Sequence, residues 1–262
     1  MSAFSPERTA AALMGARRMP VRAPMLPLGP SARPATLAEG VAAQRALAEL
    51  HDQAAPGGFK IGATARTMQA YLGLDGPAAG FMPRDNLHAS GSTFAIAPFL
   101  RPGVECELAV HLIRDLPPCP TTPEAAAEAV DLLMAAIEIV ENRYADLAAF
   151  GTPALVADQV FHAGAVLGAP LADWRTLDLE AIGGEIEVDG VIVGRGRGAD
   201  LLGHPMNALA WLAGSAEVAA FGGLRAGQIV MLGSVTPPIW LDGPAHVVVR
   251  FGSLEPVSLM LV

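Results

Sequence analysis

Glycine and proline, 28 and 22 residues of 262, cut the chain from Phe59 onward into short segments. Such punctuation argues against long-helix architectures and leaves short strands and helices joined by turns. Strand-like stretches fall at 59–62, 104–113, 138–141, 184–194, 228–235 and 246–251. Val104-Glu105-Cys106-Glu107-Leu108-Ala109-Val110 alternates with the period of a strand, and residues 185–193 read as a hairpin around Asp189-Gly190. Helices are expected at 123–136, where Pro123 suits a first turn, and at 204–219 from His204-Pro205. Strands outnumber helices without strict alternation of the two, which favours an α+β fold with mixed or antiparallel sheets over a doubly wound one.

The first 55 residues have a different texture. Residues 6–19 place Ala10, Leu13, Met14 and Arg17 at helical spacing after Ser5-Pro6, and the stretch from Pro20 to Pro34 is expected to be irregular. A second helix over 36–54 opens on Thr36 with Glu39 three residues on, a capping-box pattern. Two short helices cannot bury a core alone, so residues 1–55 are expected as a helical lead-in to one functional unit at 56–262.

With 52% hydrophobic and 16% charged residues and a mean hydropathy of +0.40, the chain has material for one large core or two modest ones. That excludes disorder and small disulfide scaffolds. The net charge is −9, from 17 basic against 26 acidic residues, and no basic cluster exceeds Arg17-Arg18. Neither a nucleic-acid partner nor a membrane surface is expected from that balance. Apolar runs fall short of a spanning helix, and no apolar core leads to a cleavage site near the start. Cys106 and Cys119 match no metal or disulfide pattern, so a reduced, cytoplasmic setting is the expectation.

Three features carry chemistry. Glu105 and Glu107 are offset by two on a strand, which puts both carboxylates on one face about 6.6 Å apart along the strand, with Val104, Cys106 and Leu108 buried opposite. Two such acids repel unless one is protonated or a cation sits between them; the alternative is a solvated sheet face. Glu138 lies alone among Ile137, Ile139 and Val140, so it must be paired, protonated or ligating, with a salt bridge to Arg143 as the plain alternative. Three carboxylates form a hard-oxygen set suited to Mg²⁺ or Mn²⁺ and not to zinc. Lys60, the one lysine beside sixteen arginines, sits between Phe59 and Ile61 in a glycine-flanked segment. Near a metal it would fix a substrate carboxylate or shuttle a proton; from an edge strand it would snorkel to solvent.

Weaker signals surround these. Gly233-Ser234-Val235-Thr236 closes a strand and offers N–H and hydroxyl groups to a bound carboxylate, or is a simple strand-end turn. Gly194-Arg195-Gly196-Arg197-Gly198 reads as a flexible turn, since it lacks the glycine spacing and Lys-Ser/Thr ending of a phosphate loop. The six histidines show no ligand spacing, and Ser90, Ser92 and Ser234 lack the setting of an activated nucleophile.

Taken in order, AALMGARRMPVRAPMLPL, VAAQRAL, GFKIGATARTMQAYLGLD, VECELAVHLIRDLP, AAIEIVENRYADL, GRGADLLGHPMNALAWLA and LRAGQIVMLGSVT run nearly end to end. The chain resembles the 2-keto-4-pentenoate hydratase and 4-oxalocrotonate decarboxylase group of the fumarylacetoacetate hydrolase superfamily. The resemblance implies a rolled mixed β-sheet core, Glu105, Glu107 and Glu138 as ligands of Mg²⁺ or Mn²⁺, and Lys60 as the active-site lysine. It also implies a homo-oligomer, a pentamer or decamer, acting on a small 2-keto or 2-hydroxydienoic acid. The implied reaction adds water to a 2-hydroxy-2,4-dienoate, giving a 4-hydroxy-2-keto acid in the catabolism of aromatic compounds. Two alternatives stand beside it: a 4-oxalocrotonate-type decarboxylase or C–C lyase, and a non-catalytic partner subunit that keeps fold and metal. The chain departs from the group's pattern at Ala78, where an acid is expected near the pocket, at Gln159-Val160-Phe161, and at Pro237.

Overall fold

The computed structural model describes residues 3–18, 23–52 and 55–262. Its helices are α1 (Pro6–Arg17), α2 (Leu37–Leu50), α3 (Arg66–Leu72), α4 (Pro123–Ala127), α5 (Leu147–Phe150), α6 (Thr152–Ala157), α7 (Pro205–Ala213) and α8 (Ala216–Ala219). Its strands are β1 (Gly58–Gly62), β2 (Ala78–Met82), β3 (Leu87–Ala89), β4 (Ser92–Phe94), β5 (Pro102–Leu112), β6 (Val130–Glu141), β7 (His162–Leu167), β8 (Gly183–Val188), β9 (Val191–Arg197), β10 (Ile229–Ser234), β11 (Ile239–Trp240), β12 (Ala245–Phe251) and β13 (Val257–Leu261). They form an α+β fold with two mixed sheets. The larger runs β2-β1-β10-β5-β6-β7-β3 with β11 also on β5, and the smaller runs β4-β13-β12-β8-β9.

Local signals place several elements as expected. The Ser5 hydroxyl accepts from the Arg8 N–H at the start of α1, and Thr36 and Glu39 close a reciprocal capping box on α2. Met19, and Gln53 and Ala54 at the expected end of the second helix, lie outside the described residues, as do residues 20–22 of the irregular stretch. Asp189 and Gly190 both have positive φ and join β8 to β9, the turn geometry that suits a two-residue hairpin. Both helices lean on the sheet layer: Leu13 and Leu47 are fully buried in the same cluster as Val104 and Ile137.

Three expectations fail, one of them the helix over 204–219, which breaks at Gly214 and Ser215 into α7 and α8. The helix at 123–136 is only the short α4, because Val130–Glu141 form a long central strand paired with β5 from Pro102↔Glu141 to Leu112↔Val130. Its Leu, Met and Ala favour helix in isolation, but burial on both faces of a central strand overrides that preference. The glycine-arginine run is not a flexible turn either, since residues 194–197 belong to β9. A Cβ on Gly196 would lie 1.9 Å from the Val235 carbonyl oxygen, so glycine here lets the smaller sheet press against the segment that follows β10.

Candidate metal and active site

The centre of the larger sheet has two chemically different faces. Val104, Cys106 and Leu108 of β5, with Ile137 and Ile139 of β6, belong to the main apolar core. Glu105, Glu107 and Glu138 take the other face, shared with Ala109, Met134, Ala136 and Met231. Register brings the three acids together: Glu105 pairs with Glu138 across β5 and β6, and Glu107 lies one side-chain step along. One carboxylate oxygen from each lies within 4.8 Å of the others. At that separation two buried charges repel by about 3 kcal/mol at an effective dielectric near 20.

The acids respond unequally. Burial, then the charge of Glu138, pushes the Glu105 carboxyl up to about 8. Burial and the charges of Glu138 and Glu105 hold the Glu107 carboxyl well above the carboxylate range. Burial also opposes ionisation of Glu138, but the Lys60 ammonium and the His162 hydrogen bond outweigh it and bring this carboxyl below its ordinary value. Glu107 Oε1 and Glu138 Oε2 are buried without a hydrogen-bond partner. An unpartnered buried acceptor costs about 1–3 kcal/mol, and a carboxylate oxygen accepts but does not donate. The set therefore fits a divalent cation, which would take both orphaned oxygens at once.

Neighbouring groups hold the three acids in place. The Gly233 N–H donates to Glu107 Oε2 at 3.0 Å. Lys60 is buried on β1, with Nζ donating to the Val160 carbonyl at 2.5 Å and lying 3.3 Å from Glu138 Oε1. It does not snorkel. Arg143 pairs with Asp158 and Glu141, which removes it as the partner of Glu138. That role falls to His162, whose Nδ1 is 2.8 Å from the Glu138 carboxylate. Burial pushes the imidazole below its ordinary value, so the neutral ring donates through Nδ1.

Residues 39–257 match the fumarylacetoacetate (FAA) hydrolase C-terminal family. The chain belongs to the fumarylacetoacetate hydrolase family. It is 36% identical over 184 residues to a 2-keto-4-pentenoate hydratase of Burkholderia vietnamiensis, an alignment covering 70% of this chain and 69% of that one. It is 29% identical to a 4-oxalocrotonate decarboxylase of Pseudomonas putida over 209 residues, 78% of this chain and 77% of the other. The structure of a 4-oxalocrotonate decarboxylase from Pseudomonas putida G7, complexed with magnesium and adipate, superposes over 100% of both chains with a TM-score of 0.88 and 22% sequence identity. That likeness shows the shared fold.

In this family member the cavity beside the acids has two arms, of about 610 and 260 Å³, that meet at Gly62, Ala63, Met68, Glu105, Pro237 and Pro238. Thr64, Arg66, Asp200, Ser234 and Thr236 are the polar residues that line the larger arm beside Ile61, Ala63, Met68 and Val235. The Ser234 hydroxyl donates to the Thr236 carbonyl at 2.7 Å and accepts from its N–H at 3.2 Å, so the strand-end turn exists and also faces the cavity. Lys60, Val160, Phe161 and Trp240 line the smaller arm. Ala78 lies behind this wall, buried against Val156 and Val160.

His162 has no signal in the linear sequence, because its partner is 24 residues away and adjacency comes from pairing of β6 with β7. The turn before it is equally silent. Gln159, Val160 and Phe161 all have positive φ, which costs about 1–3 kcal/mol per residue and is least tolerated by β-branched Val160. Asp158 anchors that turn, ion-paired to Arg17 at 2.6 Å and Arg143 at 3.0 Å and accepting from the Tyr144 hydroxyl at 2.5 Å. His162→Ala is expected to weaken Mg²⁺ binding about 10-fold by freeing Glu138 to rotate. Calorimetric titration checks this, and an unchanged affinity would remove His162 from the site.

Proposed function

We propose that the chain is a divalent-metal-dependent hydro-lyase that adds water at C4 of a 2-hydroxy-2,4-dienoate to give a 4-hydroxy-2-keto acid. The observation that carries this is the cluster of three carboxylates with two orphaned buried oxygens, opening on a two-armed cavity that Glu105 borders on both sides. Similarity to the hydratase of Burkholderia vietnamiensis selects hydration within the family. Mg²⁺ or Mn²⁺ held by Glu105, Glu107 and Glu138 would supply Lewis-acid polarisation to a 1-carboxylate and 2-oxygen chelate.

The chain's own groups do the rest. Lys60 Nζ donates to the Val160 carbonyl and is ion-paired with Glu138 at 3.3 Å, in the wall of the smaller arm. Held there, the ammonium keeps Glu138 ionised and adds positive charge where the substrate oxygen becomes negative. The Thr236 hydroxyl, on the larger arm, would donate to the substrate carboxylate end, with Ser234 fixing the turn that presents it. Val160, Phe161 and Pro237 exclude bulk water from the diene. The setting is a cytoplasmic pathway degrading aromatic compounds, and the working form is a homo-oligomer. Among the described residues no helix is long and apolar enough to cross a membrane.

The test generates 2-hydroxypenta-2,4-dienoate in situ and follows its ultraviolet absorbance. Loss with Mg²⁺, abolished by EDTA and yielding 4-hydroxy-2-ketopentanoate, is the expected result. CO₂ release from 4-oxalocrotonate without hydration would move the chain to the decarboxylases, and metal-dependent thermal stabilisation without turnover would make it a non-catalytic subunit. The raised carboxyls also set a pH dependence. Below pH 8 the metal-free site holds a proton on Glu105, so a cation must displace it. Mg²⁺ affinity is expected to rise with pH up to about 8, with proton release visible as buffer-dependent heats in calorimetry at pH 7. Heats independent of the buffer would contradict the protonated state.

A further inference from the structure

The smaller arm has a chemistry of its own. Alternation along the start of β5 puts Glu105, Gly103 and Arg101 on one side of the chain. Gly103 pairs with Trp240 of β11, and a Cβ on Gly103 would lie 2.8 Å from the indole Cε3. Glycine is therefore what lets the indole lie on the strand, about 6.6 Å along from Glu105, a distance comparable to the carbon chain of a dienoate. Phe161 meets that indole edge to face, with ring centroids 6.3 Å apart and planes at 77°. Met68, Tyr71, Leu72 and Val140 add to this aromatic wall, and Lys60, Arg101 and Asn142 are the arm's polar members besides Glu105. The Arg101 guanidinium carbon lies 5.4 Å from the indole centroid, a cation–π contact at the arm's edge.

Resting on the hydratase reading, we propose that this arm is a tail site for an apolar, aromatic substituent carried by the 2-keto acid beyond its reacting carbons. The head is placed at Glu105, which borders both arms, and the carboxylate end belongs with Thr236 in the larger arm. The tail then enters the arm floored by Trp240 and walled by Phe161. A volume of about 260 Å³ holds one ring beside the head but not an extended chain. Aromatic rings favour edge-to-face and offset contacts, which Trp240 and Phe161 already make with each other and can extend to a third ring.

The experiment compares three unreactive 2-oxo acids by calorimetry in the presence of Mg²⁺: 2-oxopentanoate, 2-oxo-5-phenylpentanoate and 2-oxohexanedioate. The phenyl acid is expected to bind at least about 10-fold tighter than 2-oxopentanoate, from burial of the ring. Trp240→Ala removes that preference, and Tyr71→Ala, at a 70% exposed position where folding is not at stake, reduces it. Equal affinity of the phenyl and unsubstituted acids overturns the tail site. Tightest binding by the dicarboxylate, lost in Arg101→Gln, overturns it in favour of an anion site on Arg101. Binding of none of the three overturns the keto-acid head reading and the tail site together, a pattern distinct from the other two.

Discussion

Glu105→Gln is expected to lower Mg²⁺ affinity by about 100-fold or more and to abolish turnover at ordinary metal concentrations, with the fold unchanged. Glu105 is the least buried of the three acids, so the amide meets little new desolvation cost. It removes one of three negative ligands and leaves Glu107 and Glu138 in place. Circular dichroism and the metal-free melting temperature report the fold, while calorimetry reports the cation. Wild-type Mg²⁺ affinity in this variant would refute the ligand assignment. The same substitution at Glu107 is less clean, because its carboxylate also accepts the Gly233 N–H.

Replacing Lys60 gives the second large effect. Lys60→Arg retains the charge but places a planar, branched group where a compact ammonium now fits between Val160 and Glu138. A Cβ on the nearby Gly62 would already stand 3.4 Å from Nζ and 3.0 Å from Val160 Cγ1, so the guanidinium is pushed off the Val160 and Glu138 positions into the arm that Lys60 lines. Turnover is expected to fall about 1000-fold, the upper part of the range for removing one electrostatic group from a buried site. Lys60→Met separates shape from charge: it fits the slot, leaves Glu138 without its cation, and is expected to lose kcat far more than substrate affinity. Turnover unaffected by both substitutions would make Lys60 a structural residue.

The legible parts of the molecule were those written locally. The capping box at Thr36 and Glu39, the Asp189-Gly190 hairpin and the two-residue offset of Glu105 and Glu107 each depend on neighbours within a few positions. Residues 130–137 were illegible for the opposite reason. Leu132, Leu133, Met134 and Ala135 prefer helix among themselves, and only pairing with β5 makes them a strand. The consequence reached the site, since Glu138 stands in the middle of that strand and not at its start. His162, the left-handed turn at 159–161 and the Asp158 network were silent because their partners are brought in by tertiary structure. The turn also places two residues at the site: the Val160 carbonyl accepts from Lys60, and Phe161 walls the smaller arm.

The parallel pairing of β1 with β10 has a consequence for the order in which a growing polypeptide acquires chemistry. Lys60 sits on a strand whose partner position, Met231, is made about 170 residues later. A nascent chain halted before residue 229 carries all three glutamates and the lysine, yet lacks the strand that lies between β1 and β5 and the amide that steadies Glu107. Contacts of such long separation are slow to form, because a long loop must close before they return any stabilisation. The β5–β6 pair that gathers the three acids is thus complete by residue 141, whereas the strand that links Lys60 to it and the Gly233 amide arrive only with β10.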